Sequence, residues 1–372
     1  MEILIASDLV PTGSNEDLFA QGDIRALLGE ELFKIWNASD MRVFNLEVPL
    51  TDQETPIAKT GPNLIAKTRT IHGIKQLQPT LVTLANNHIL DQGTQGFHST
   101  KRLLEQYNIP FVGAADNVVE AAKPHILHQD GISVGIYACA ENEFTIATAT
   151  SAGANPFDPL ESLDHIQELK QKCDYVIVLY HGGKEHYRYP SPNVQRVCRK
   201  MVQKGADLVI CQHSHCVGAY ENYLDSKIIY GHGNFIFDYM DSEYWQSSLL
   251  IKIHIGERLE VNYVPVVKQK HVIRAAQGSE VDNILNGFYS RSEEISQEGF
   301  VERRYQEFAH TNTEAYLKAF SGLGKWMSRI DRKLLNGRLL KQRYSKPNLL
   351  AMQNFIECEA HRELLLAGLK TK

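Results

Sequence analysis

The sequence has little that would mark a specialised class of protein. It lacks a basic excess: 39 Lys and Arg stand against 44 Asp and Glu, and the formal charge of −5 argues against a nucleic-acid binder. No uninterrupted apolar run approaches the roughly 20 residues that cross a bilayer. The opening MEILIASDLV is an apolar run of strand length with no basic segment before it and no small-residue cleavage pattern after it. From these features a cytoplasmic protein without a signal peptide is expected. Cysteine is sparse and contains no C-x-x-C pair, which argues against a disulfide scaffold. Positions 139, 173, 198 and 211 sit in or beside apolar runs, where a reduced thiol behaves as a small hydrophobe. No internal repeat is evident.

What is present is an ordinary globular composition, 43% hydrophobic and 22% charged, over a length that can bury one large core and a smaller appendage. Through the first two hundred or so residues, β-rich runs alternate with helical patterns. EILIAS, MRVFNLE and TLVTLA read as strands, with helices near 24–36, 68–77 and 94–107. ILHQDGISVGIYAC reads as a hairpin turning at Asp130-Gly131. A helix near 161–172 precedes CDYVIVLY, the most hydrophobic strand, and a helix near 193–204 stops at Gly205. Further strands follow at ADLVIC, AYENYL, KIIYGHGNFIF, SLLIKIHI and LEVNYVPVV. Alternating units that give way to consecutive strands predict an α/β fold with a layered, mixed β-sheet. From about residue 277 helical periods take over, which predicts a domain over 1–276 and a helical C-terminal region over 277–372.

In open α/β folds, ligands collect beyond the C-terminal ends of strands. The polar residues at those positions are Asp8, Glu47, Asn86-Asn87-His88, His181, and His213 with His215; Asn234 lies near a later strand. An extended backbone turns residues i and i+2 to one side, so His213 and His215 could share an ion or a pair of ions. Each residue alone is explained as a cap or loop residue, but recurrence at five strand ends points to a metal centre. Carboxylate, imidazole and amide oxygen without thiolate suit Mn, Fe or Zn. Two such ions about 3.5–4 Å apart, bridged by one carboxylate, activate water and polarise a phosphoryl oxygen. A Cys211–His213–His215–Cys216 zinc site is the competing reading, disfavoured because its spacing crowds four ligands onto one loop.

The ordered motifs VFNLEVPLTD, TLANNHILDQGTQGF, IVLYHGGKEHY, GADLVICQHSHCVGAYE and YGHGNFIFD, spread over about residues 1–240, resemble those of the CapA family. That family comprises poly-γ-glutamate or capsule synthesis proteins related to calcineurin-like metallophosphatases. The resemblance implies a metallophosphatase-like sandwich holding one or two divalent metal ions. It implies Asp8 and His215 at the first metal and Glu47 as the bridge. Asn87, His181 and His213 would then serve the second metal, with His88 protonating the leaving oxygen. The phosphatases carry Asp-x-His where this chain has Asp8-Leu9-Val10, so the first site lacks the imidazole of that motif.

Other residues keep two readings. His88 either hydrogen-bonds Asp91 in a tight loop or acts in catalysis, and Asp91 either orients it or caps the helix beginning near Gly93. Lys184, Glu185 and Arg188 form a solvated cluster or contact an anionic substrate. Lys59 is a loop lysine or a phosphate contact, and Asn86 and Asn234 join the substrate candidates. Gly182-Gly183 permits close backbone approach to a ligand or is only a turn. The basic stretch 323–346, with Trp326, Ile330, Leu334 and Leu340 at helical spacing, either packs on its own domain, the commoner outcome, or lies on an anionic membrane surface.

The resulting expectation is a hydrolase of phosphate mono- or diesters on a small-molecule or polymer-linked anion in capsule or other surface polysaccharide synthesis. The alternatives are a non-hydrolytic polymer-binding assembly factor and a metal-dependent hydrolase of γ-glutamyl amides.

Overall fold

The computed structural model describes residues 1–238 and 240–370. Two compact units divide the chain, Met1–Val301 and the residues from Glu302 onward. The first unit is built on two sheets. One runs in the order Val272–Ala275, Leu259–Gln269, Ser247–Ile255, Glu2–Val10, Met41–Leu46, Leu81–Thr83, Phe111–Val112, with Asn234–Phe237 also pairing to Glu2–Val10. The other runs Tyr220–Tyr223, Ser226–Tyr230, Leu208–Gln212, Tyr175–His181, Ile132–Ala140, His125–Gln129. Both are mixed: the first is parallel from Glu2–Val10 to its Phe111–Val112 edge and antiparallel toward the other, whereas the second has a parallel centre with an antiparallel strand at each edge.

Side-chain alternation explains how the layers close. In Tyr175–His181, Ile177 and Leu179 join the large cluster that also contains Ile3, Leu4 and Ile5 of the first sheet. Val176, Val178 and Tyr180 point the opposite way, into a second cluster with Ile166 and Leu169 of the helix Ser162–Lys170 and Cys198 and Met201 of Pro192–Gln203. His181 shares the parity of Ile177 and Leu179, so the alternation that buries those two carries the imidazole into the space between the sheets. The first sheet is backed by Ile24–Ala38, whose Leu27, Leu28, Leu32 and Trp36 are fully buried. The architecture is thus a layered α/β sandwich.

The hairpin forms as the sequence predicts: Asp130 and Gly131 both take positive φ, 54° and 80°, the primed-turn geometry that matches strand twist. KIIYGHGNFIF is not one strand. Ser226–Tyr230 belongs to the second sheet and Asn234–Phe237 to the first. Gly231 and Gly233, at φ 98° and 82°, make the crossing in backbone conformations that a side chain would strain. The first unit also runs past residue 276, through the helix Ser279–Ile295, whose Phe288 packs against Tyr220 and Tyr263.

The second unit consists of the helices Lys325–Leu334, Arg338–Arg343, Lys346–Glu357 and Glu359–Lys370, together with most of Phe300–Phe320. Of the stripe expected to pack on its own domain, Leu340 is half-buried, but Trp326, Ile330 and Leu334 are exposed, Trp326 and Leu334 each at 77%. Among the described residues, no helix is long and apolar enough to cross a membrane.

Candidate metal centre

Asp8 lies near the end of the central strand Glu2–Val10 and is in register with Asn45 on one neighbour and Asn234 on the other. Glu47 follows Met41–Leu46 directly. His181 ends its strand in register with Gln212, the last residue of Leu208–Gln212. His213 and His215 come next, but not as an extended pair. Both occupy the left-handed region, at φ 77° and 53°. The expected i, i+2 alternation is therefore wrong for this segment: a tight turn at the strand end brings both rings inward. Non-glycine residues held there store strain that the surrounding packing must impose.

The side chains converge. His181 Nε2 lies 3.0 Å from Asn87 Oδ1, 3.1 Å from His213 Nδ1 and 3.1 Å from Glu47 Oε1, the last outside hydrogen-bond geometry. One ring nitrogen carries at most one proton, so these atoms present more lone pairs than hydrogens. Asp8 Oδ2 lies 3.6 Å from His215 Nδ1 and accepts from the His213 backbone N–H at 3.3 Å. Ligand atoms of Glu47, His181 and His213 fall within 4.8 Å of one another, as do those of Asp8, Glu47 and His215. Glu47 belongs to both groups, and neither of its oxygens, although buried, meets a hydrogen-bond donor.

The electrostatics follow from that burial. Desolvation, reinforced by Glu47, pushes the Asp8 carboxyl up to about 7. Desolvation pushes Glu47 up to about 8, against the pull of His88 and with Glu185 adding to the rise. Burial lowers His181, drives His213 well below the usual imidazole range, and brings His215 down to about 3 against its bond to Asn234. Left to themselves, these groups favour neutrality. A divalent cation would reverse the preference of the carboxyls and use the neutral imidazoles as they stand, and the nitrogen and oxygen donor set suits a borderline-to-hard ion. The residues present fit a metal.

A second buried arrangement adjoins this one. His88 Nδ1 lies 2.6 Å from Asp91 Oδ2, and the Leu64 backbone N–H donates to the same oxygen at 2.6 Å. Lys59 Nζ pairs with Asp91 Oδ1 and also donates to the Asn87 carbonyl at 3.4 Å. Asp91 thus does not cap the following helix, whose N-cap is Gln92. Lys59 is no free loop lysine either, since its side chain is 3% exposed.

The remaining candidates separate. Asn86 is a brace rather than a substrate contact: its amide donates to Asn45 Oδ1 and Leu46 O and accepts from the His88 N–H. Asn234 Oδ1 lies 2.8 Å from His215 Nδ1, which makes it a partner of a histidine already in the cluster. Arg188 donates to Val217 O and lies 4.8 Å over Tyr244, engaged with two neighbouring loops of the protein. Glu185 is half-buried and adds negative charge near Glu47 and His181, whereas Lys184 is exposed. Gly182 lies against Glu141, whose Cγ would come within 2.7 Å of any Cβ there, and Gly183 turns at φ 109°. All six cysteines are free, and no cysteine enters the metal-capable groups found among the described residues.

Sequence reading missed Asn45. It donates to Asp8 Oδ1 at 2.8 Å, lies 3.3 Å from His181 Nδ1, and accepts from Thr83. An amide two residues before Glu47, within the apolar run Val43–Leu46, was the available signal. It also missed Trp245, whose ring lies 4.7 Å from His215 and whose Nε1–H donates to His186.

Residues 3–239 match the family model described as bacterial capsule synthesis protein PGA_cap. The capsule biosynthesis protein CapA of Bacillus anthracis is 29% identical over 59% of this chain and 55% of its own length. The PGA biosynthesis protein CapA of Bacillus subtilis is 28% identical over 64% of this chain and 68% of its own. A probable polyglutamine synthesis accessory protein of Mycobacterium tuberculosis is 26% identical over 57% of this chain and 59% of its own. The matched stretch thus spans little more than half of the B. anthracis protein. Among solved structures, a phosphatase from Mycoplasma pneumoniae is 10% identical at a TM-score of 0.44, covering 76% of this chain and 98% of that one. A 5'-nucleotidase precursor from Thermus thermophilus is 12% identical at 0.40, covering 77% and 58%. With well over half of its residues matched by the family model, the chain belongs to the bacterial capsule synthesis protein PGA_cap family.

Proposed function

We propose that this chain is a metal-dependent phosphoesterase, hydrolysing a phosphate mono- or diester on a small-molecule or polymer-linked anion during capsule or other surface polysaccharide synthesis. The observation that carries the reading is Glu47, a buried carboxylate without a donor, shared by two groups of metal-capable side chains beside a buried His–Asp pair. Asp8, Glu47 and His215 would hold one ion; Glu47, Asn87, His181 and His213 would hold the other. When bound, Mn, Fe or Zn ions supply Lewis acidity toward a phosphoryl oxygen and lower the pKa of coordinated water.

The chain's own residues do the rest. Asp91 holds the His88 ring through Nδ1, which leaves Nε2 to carry a proton toward a leaving oxygen. Lys59 and the Leu64 N–H hold Asp91 in turn, so the orienting carboxylate has little freedom to move. Asn45 fixes the Asp8 carboxylate by direct donation. The names of the Bacillus relatives support a role in capsule or PGA synthesis, while the mycobacterial name supports an accessory role in polymer synthesis. The His88–Asp91 pair favours the hydrolytic reading, since a pure binding site needs no proton donor.

The test is turnover of a phosphomonoester, a phosphodiester and a γ-glutamyl peptide by the purified chain, before and after chelation and metal replacement. Phosphate-ester cleavage that disappears with the metal and returns with it is expected. A metal-loaded protein that cleaves only the peptide, or nothing, overturns the reading.

A further inference from the structure

The strongest unassigned feature lies in the second unit. Residues 323–346 contain eight Lys or Arg, at 325, 329, 332, 333, 338, 341, 343 and 346, against a single acid, Asp331. The whole chain carries −5, so this one segment reverses the sign of its surroundings. Asp331 offsets only one of these eight charges, leaving the segment at +7. Asp331 is buried, and its carboxylate accepts the backbone N–H groups of Leu339 at 2.9 Å and Leu340 at 3.2 Å, at the start of the helix Arg338–Arg343.

The apolar side chains are arranged to match. In the helix Lys325–Leu334, Trp326, Ile330 and Leu334 recur every four residues, with Met327 alongside. At about 100° per residue these four cover an arc of roughly 100°, and Lys333, Arg329 and Arg332 fill the arc beside it. Trp326 and Leu334 are 77% exposed, and Met327 and Ile330 are exposed as well. The Arg329 guanidinium lies 5.9 Å from the Trp326 ring, where the headgroup level and the apolar boundary of a lipid surface would meet.

From this juxtaposition of exposed apolar arc and cationic flank we infer that the helix Lys325–Leu334, continued by Arg338–Arg343, docks on an anionic lipid surface. Charge complementarity selects the occupant. A second copy of this acidic chain would bring like-charged 323–346 segments together if it paired face to face. A nucleic acid would use the cations but leave Trp326, Ile330 and Leu334 in water. An anionic bilayer takes both, burying the arc at the acyl boundary and pairing the flank with headgroup phosphates. This inference does not depend on the catalytic reading, because it uses no residue of the metal centre.

Trp326 supplies an internal reporter. Of the three tryptophans, Trp36 is fully buried and Trp245 is 5% exposed, so a change in tryptophan emission on binding reports Trp326. The full chain is titrated with phosphatidylcholine vesicles, with vesicles containing phosphatidylglycerol, and with heparin. A blue shift and co-sedimentation with the anionic vesicles alone, weakened by added salt, are expected. Arg329→Glu/Arg332→Glu/Lys333→Glu should weaken vesicle binding by at least about 100-fold, and Trp326→Ala should abolish the shift, both with unchanged far-ultraviolet circular dichroism. Equal binding to neutral vesicles, a heparin affinity matching the vesicles, or a lipid-free shift that grows with protein concentration would each overturn the proposal. The last would identify self-association instead.

Discussion

Glu47 and Asp91 are both fully buried carboxylates in the same part of the first unit, yet their surroundings are opposite. Asp91 is surrounded by donors: the His88 ring, the Lys59 ammonium and the Leu64 N–H all reach it. Glu47 has none on either oxygen, and His181 Nε2, 3.1 Å from Oε1, lies outside hydrogen-bond geometry. A buried charge is tolerated when it is paired and hydrogen-bonded and is costly otherwise. The Asp91 arrangement is complete as folded and needs nothing added. The Glu47 arrangement is costly as folded, and that cost is what binding a cation would remove. One half of the site stabilises the protein, while the other half trades stability for the ability to take a ligand.

The most severe way to break the comparison is Glu47→Gln. Bound metal, read by elemental analysis, should fall to background, and phosphoesterase turnover should drop on the order of 10⁴-fold, since several kcal/mol of charge stabilisation go with the ion. The metal-free variant should nonetheless melt no lower than metal-free parent at pH 8, because an isosteric amide replaces a costly buried acid. A clear fall in melting temperature would show that Glu47 has a structural partner after all.

On the other side of the comparison, His88→Asn should retain metal but lose roughly 10²–10⁴-fold with a poor leaving group. The loss should shrink with a nitrophenyl ester, whose leaving group scarcely needs a proton. Equal losses for both esters would remove the proton-donor role. Lys59→Met tests the completeness of the Asp91 arrangement through stability. Breaking a buried pair by removing one partner costs about 3–5 kcal/mol, measurable by denaturant unfolding. A cost below about 1 kcal/mol would mean that the pair behaves like an exposed one.

Asn45→Ala is milder, because the amide acts on Asp8 and lies beside His181 rather than being counted among the ligands. Metal affinity should weaken by about 10–100-fold, as for other groups that orient ligands, and a titration of metal into chelated protein checks it.

The smallest effect is the pH dependence of the metal-free protein. Asp8 and Glu47 have folded values above their unfolded ones, so the folded state binds the extra protons. Stability from these groups therefore falls as pH rises from about 4 toward the folded values, about 7 and about 8. The buried histidines run the other way, their contribution rising with pH until about 6.5 and then levelling. The two oppose each other below pH 6.5, and only the carboxyl effect remains from there to about 8. Metal-free protein should thus melt lower at pH 8 than at pH 6.5, and added metal should erase the difference. A flat metal-free profile over that interval would contradict the burial argument.

Much of this site was legible because strand ends are legible. The apolar runs Tyr175–His181 and Leu208–Gln212, buried along almost their whole length, located their own termini, and the residues found there were ligand types. The turn holding His213 and His215 was not legible, since positive φ at a histidine leaves no mark in residue type. The sequence leaves Lys59 between a loop lysine and a phosphate contact, because its partner Asp91 lies 32 positions away, beyond any local pattern. The exposure of Trp326 ran against the commoner outcome for an amphipathic stripe, which is to pack.

Backbone alternation and helical period are local, so the sequence by itself determined which faces are apolar, where strands stop, and which donors stand at those stops. It also determined the charge segregation over 323–346, which is a property of composition alone. Only the tertiary structure decided which stops meet. The His213 N–H reaches Asp8 across 205 positions of chain, and Asn234 reaches the central strand only because two glycines carry the backbone from one sheet to the other. Pairing partners are selected by the packing of whole sheets, a global competition that no local pattern encodes. For the same reason, tertiary packing alone left Glu47 without a donor and gave Asp91 three.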